Sequence, residues 1–110
     1  MRIISARGLP SEPIDAAGEF LSRVVPEVRA TIRLGQLPAC IVFDPADHTH
    51  TAWRMASVQS LAREAAPGRI NAVVGAADTV AAAAAYLARA PGVTGQYLPL
   101  DGNAAGNPAL

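Results

Sequence analysis

The sequence predicts an α/β domain of about four parallel strands alternating with three helices. Two observations carry that reading. Short apolar runs with β-branched residues recur at 2–6 (RIISA), 40–43 (CIVF) and 70–74 (INAVV), with a fourth candidate at 96–101 (QYLPLD). Between them, apolar residues fall at helical spacing. Strands that read as continuous apolar runs, separated by helices, indicate a parallel sheet with crossover connections.

Each element has its own justification. After the first run, Phe20, Leu21, Val24, Val25, Val28 and Ile32 follow a 3.6-residue period, with Asp15 as the expected N-cap and Gly35 as the stop. Pro26 lies inside that pattern and should kink the helix. The second helix spans 51–66, with Met55, Val58, Ala62 and Ala65 on its buried face and Pro67-Gly68 ending it. The third runs from an Asp78 cap through the alanines at 81–85 to Leu87, closed by Pro91-Gly92. Those alanines are strong helix formers, and packing is sufficient reason for them. Pro99 cannot donate to a ladder, so the last strand belongs at a sheet edge. Three crossovers of the usual hand, all moving one way, would put the three helices on one face of the sheet.

Composition narrows the functional classes. A chain of 110 residues, 51% hydrophobic and 16% charged, is long enough for one small core and too apolar for disorder. We expect a single domain over 1–110. Nine acidic residues balance nine basic ones, which removes the long-range field that would draw the protein to nucleic acid or an anionic membrane. All the basic residues are arginine, so chemistry that needs an amine side chain is excluded. Cys40 has no second cysteine to pair with and reads as a buried thiol in a reducing compartment. MRIISARG has no signal-like apolar segment, and no run reaches membrane-spanning length, so a cytoplasmic protein is expected. The opening Met and the C-terminal motif point to a gene product in its own right.

SLARE at 60–64 followed by RINAVVG at 69–75, then AAAAYLA, then VTGQYLPLDG at 93–102, resembles the second half of the short-chain dehydrogenases/reductases. The resemblance implies half a Rossmann fold in a three-layer-like arrangement, with the last helix on the opposite face of the sheet from the other two. It matches CIVF to the strand that ends in the family's catalytic serine. It also implies what is missing. The family binds a nicotinamide cofactor on a Gly-rich turn, and no G-x-x-x-G-x-G stands in this sequence; only SARG at 5–8 is similar to the family's fourth-strand end. The family's catalytic tyrosine falls at Asp47 and the lysine four residues later at Thr51; the serine falls at Pro45 or Ala46. The long substrate loop is replaced by an almost immediate helix at Asp78. No catalytic, cofactor-binding or metal residue is therefore assigned, and no cofactor is expected.

Asp44, Asp47, His48 and His50 form the one dense cluster of titratable groups. Carboxylate and imidazole could hold a metal or act as acid and base. Against that, His48 and His50 are two apart, which does not place two ligands on one helix face, and Asp-Pro followed by Asp and Thr is ordinary strand-end and capping chemistry. A small-ligand or nucleotide binder at the carboxyl ends of the strands is a further alternative.

Trp53 shares a helix face with Ser57, Ser60 and Glu64, opposite Met55 and Val58. It either touches its own N-terminal loop or anchors an interface. The family resemblance implies assembly through the helices at 15–34 and 51–66 and through the last helix and strand. The expected function is non-catalytic association, as a homo-oligomer or as an accessory subunit of a full-length reductase. The expected interface residues are Phe20, Val25, Trp53, Ser57, Leu61 and Tyr97.

Overall fold

A computed structural model describes residues 1–100; Asp101 and Gly102, the end of the fourth predicted strand and of its motif, lie outside the described residues. Strand β1 (Arg2–Ala6) is followed by helix α1 (Pro13–Glu19), a π-helical turn at Phe20–Val24 and helix α2 (Val25–Arg33). Then come β2 (Ala39–Phe43), a 3-10 turn at His48–His50, α3 (Thr51–Ala65), β3 (Ile70–Val74), α4 (Ala77–Ala88) and β4 (Tyr97–Pro99). The strands form one parallel sheet in the order β1-β2-β3-β4. Pro99 thus stands in an edge strand, where a missing N–H costs nothing.

Register explains how the sheet is sandwiched. Ile4, Ile41, Ala72 and Tyr97 align across the strands on one side, while Val42, Val73 and Leu98 align on the other. The first side carries the larger core, where Phe20, Val24 and Val28 meet Val58, Leu61 and Ala65. The second carries a smaller one, Cys40, Val42 and Val73 against Val80 and Leu87 of α4. The helices therefore do not share a face. Because β4 continues in the same direction, the β3-α4-β4 crossover has the opposite hand to the two before it, against the usual rule and in line with the family resemblance.

Arg69 holds α4 in that position. Its Nη1 donates to the carbonyls of Leu87 at 2.8 Å and Ala90 at 2.9 Å, satisfying the exposed acceptors of the helix C-terminus. Fully buried Asn71 donates to Val93 O and accepts from Gln96 N–H, both at 3.0 Å, which fixes the approach to β4.

Local details differ from the sequence expectation at two caps. The first helix starts at Pro13, with Glu12 in the cap position and Asp15 in the first turn, because proline's fixed φ suits the start of a helix. Asp78 also sits inside the first turn, with Ala76 as the cap residue, and its carboxylate accepts from the Thr79 N–H. At Pro26, where a kink is expected, the helix continues through an altered turn. The preceding turn widens to π geometry, and the Val25 N–H reaches back to Phe20 O, so the helix passes the proline without a free stretch of backbone. Gly35, at φ 69°, is the stop that the sequence indicated.

Candidate functional site

The last aligned row of the sheet is Ala6, Phe43, Val74 and Pro99, and the residues just beyond it make the strand tips. Arg7 turns its guanidinium across them. Nη1 donates to Asp44 Oδ1 at 2.8 Å and Nη2 to the Gly75 carbonyl at 2.8 Å, so one side chain links the ends of β1, β2 and β3. Asp44 Oδ2 accepts from the Gly8 N–H at 2.8 Å, in a turn where Gly8 takes φ 75°. That backbone bond, and then the Arg7 guanidinium, hold the Asp44 carboxyl below the usual carboxylate range.

Next to these tips the loop at 9–11 and the loop at 44–50 enclose a cavity of about 290 Å³. Asp47 sits at its rim as the cap of the 3-10 turn, accepting from the hydroxyl and the N–H of Thr49, and those bonds hold its carboxyl below the usual range. His50 is buried. Its Nε2 donates to the Ser11 carbonyl at 2.9 Å, and its Nδ1 accepts from the Trp53 indole N–H at 3.1 Å. The two partners define the neutral Nε2–H tautomer and leave no ring nitrogen for a ligand. Among the described residues no three His, Cys, Asp or Glu side chains converge as metal ligands. The cluster that sequence proximity suggested is thus two separate devices: Asp44 ties strand tips, and Asp47 with His50 builds the entry to α3.

Trp53 does not lie on a polar face. It meets Phe20 and Phe43 edge-on at 5.4 and 5.9 Å, and these two phenylalanines stack at 5.6 Å. Its contact with His50 is the loop contact weighed above. Met55, expected inside, is exposed, while Arg54 is buried in its place. The start of α3 is therefore rotated relative to the apolar pattern, because the aromatic cluster takes Trp53. Arg54 lies over the Phe43 ring at 4.4 Å, and its Nη1 donates to Asp44 O at 3.0 Å and to the Tyr97 hydroxyl at 3.2 Å.

The six expected interface residues divide. Phe20 is fully enclosed by its own chain, so its side chain cannot meet a partner in this form. Trp53 and Tyr97 are half-buried against the core cluster. Val25, Ser57 and Leu61 come together with Leu21, Arg29 and Glu64 along a groove of about 240 Å³ between α2 and α3. Leu21, 61% exposed, is the apolar residue at this groove that the sequence reading grouped with the core stripe. Arg29 and Glu64 span it with a paired contact, 3.1 Å from Nε and 3.0 Å from Nη2.

A family model of short chain dehydrogenase-like proteins matches residues 4–100, nearly the whole chain. The chain belongs to this family. No curated protein and no solved structure matches it.

In this short chain dehydrogenase-like protein the residues present do not fit a nicotinamide dinucleotide. The Arg7 guanidinium lies across the strand tips, bonded to Asp44 and to the Gly75 carbonyl, where such folds receive a dinucleotide. Asp47, where the family's tyrosine falls, caps the 3-10 turn, and Thr51, where its lysine falls, opens α3. Burial raises the Cys40 thiol to about 11, so it is no nucleophile at neutral pH. Sequence reasoning missed Arg7 and Arg54. The signal for the entry to α3 was present in the three-residue spacing of His50 and Trp53, which places both on one side of a helical turn.

Proposed function

We propose that this protein acts by association and carries no oxidoreductase chemistry of its own, as a homodimer in the cytoplasm joined through the α2–α3 groove. The observation that carries the reading is the groove itself: exposed Leu21 beside Val25, Ser57 and Leu61, with one guanidinium and one carboxylate, Arg29 and Glu64, spanning it. A two-fold contact repeats the same patch on both subunits, so it requires a surface that complements itself. A patch with one exposed leucine above a buried apolar floor, and one charge of each sign, meets that requirement. The same two helices form the principal contact in the short-chain reductases that the sequence resembles. Arg7 across the strand tips supports the other half of the reading, since a coenzyme would have to displace its bonds to Asp44 and Gly75.

Light scattering on the size-exclusion peak at micromolar concentration tests this. The wild-type chain is expected at twice its 11.3 kDa mass. Leu21→Asp is expected at the single-chain mass with an unchanged circular dichroism spectrum, because Leu21 makes little of the core. A wild-type monomer, or a Leu21→Asp dimer, overturns the proposal. A wild-type monomer that co-elutes with a full-length short-chain reductase would assign the groove to that partner instead.

A further inference from the structure

Arg54 stands out among the arginines because it is buried, at 4% exposure, yet no carboxylate lies within ion-pair distance of it among the described residues. Among the described residues both of its hydrogen bonds leave from Nη1 and end on neutral oxygens, while Nε is enclosed without a partner. The nearby Asp44 carboxylate is already held by Arg7 and Gly8. A buried cation that has to share the Asp44 carboxylate with Arg7 is under-compensated, and the Phe43 ring offsets only part of the cost.

The Tyr97 hydroxyl carries this charge outward. Its oxygen accepts from Arg54, so its own proton is free to point away, and a hydroxyl polarised by a cation is the stronger donor for it. Tyr97 lines a pocket of about 320 Å³ at the ends of β2, β3 and β4, a volume within the range of small-molecule sites. Its walls are Pro45, Met55, Val74 and Pro99, with Thr51 as the second polar residue. The pocket shares no lining residue with the α2–α3 groove.

We propose that this pocket binds a small apolar carboxylate, whose oxygen accepts from the Tyr97 hydroxyl with the Arg54 guanidinium behind it. A monoanion matches the one positive charge by which Arg7 and Arg54 together exceed Asp44. Apolar walls and two hydroxyl-bearing residues suit a carboxylate on a hydrocarbon body, and they supply too few donors for a phosphate dianion. The proposal is independent of the association reading, because its residues and its readout differ.

The test is an amide NMR titration of the full chain with benzoate, and with benzyl alcohol as the neutral counterpart. Saturable shifts are expected at Thr51, Met55 and Tyr97, with benzyl alcohol about tenfold weaker, as the loss of a charge-assisted hydrogen bond requires. Tyr97→Phe keeps the ring on Phe43 and should weaken benzoate by a similar factor of about ten. Absence of saturation by millimolar benzoate, equal binding of the alcohol, or unaltered benzoate binding in Tyr97→Phe each overturns the proposal.

Discussion

The strand tips and the α2–α3 groove are both places where related folds do business, and in this chain they are built in opposite ways. At the tips, polar groups find partners within the chain: Arg7 bonds to Asp44 and Gly75, Gly8 to Asp44, and His50 to Ser11 and Trp53. At the groove, exposed Leu21 stands over the buried side chains of Val25 and Leu61 with no partner of its own. Any ligand at the tips must replace several directed bonds, each of modest net value. An exposed leucine has no such bonds to lose, and burying it removes surface from water.

The contrast is sharpest for Phe20 and Leu21, adjacent residues with opposite fates. Phe20→Ala should cost about 3–5 kcal/mol of folding stability, the largest effect expected, by opening a cavity between Phe43 and Trp53. Denaturant unfolding measures it, and a loss below about 1 kcal/mol would mean that the aromatic cluster is not the core it forms here. Leu21→Asp, in contrast, should alter mass and leave stability of the monomer nearly unchanged.

Smaller effects belong to the tips. Trp53→Phe keeps an aromatic ring but leaves His50 Nδ1 without its donor, and about 1 kcal/mol of stability should be lost. An unchanged midpoint would show that the indole N–H contributes nothing. The least effect is that of pH. Folding lowers the Asp44 pKa, so the stability it supplies is complete above the ordinary aspartate value near 4 and declines as pH falls through the lower folded value. Arg7 and Asp44 are 35% and 46% exposed, and screening keeps the contribution under about 1 kcal/mol. Asp44→Asn should flatten the acid limb of the stability curve without abolishing it, since folding also lowers Asp47 and Glu64. An acid limb identical to wild type would remove the carboxylate from the account.

Local chemistry was legible from the residues alone where one residue decided it. Apolar runs marked the strands, Pro99 the edge, Gly35 the helix end and Cys40 the interior. What was not legible depends on residues brought from far along the chain. Arg54 follows Trp53 in a helix and reads as surface until Phe43 and Tyr97 enclose it. Arg7 reads as a loop cation until Asp44 and Gly75, from two other strands, arrive beside it. The turn before Pro26 is widened by a helix that continues across the proline, which helix propensity cannot express. The face chosen by α4 follows the family resemblance and not the handedness rule, because Val80 and Leu87 find Cys40, Val42 and Val73 on that side.

Hydrogen–deuterium exchange of the intact chain, followed on dilution and again with added NADPH, examines both regions at once. We predict that dilution raises exchange in α2 and α3 while residues 6–12 and 43–50 exchange at the same rate with or without the dinucleotide. Concentration-independent exchange in the two helices, or NADPH-dependent protection at the strand tips, would contradict the account.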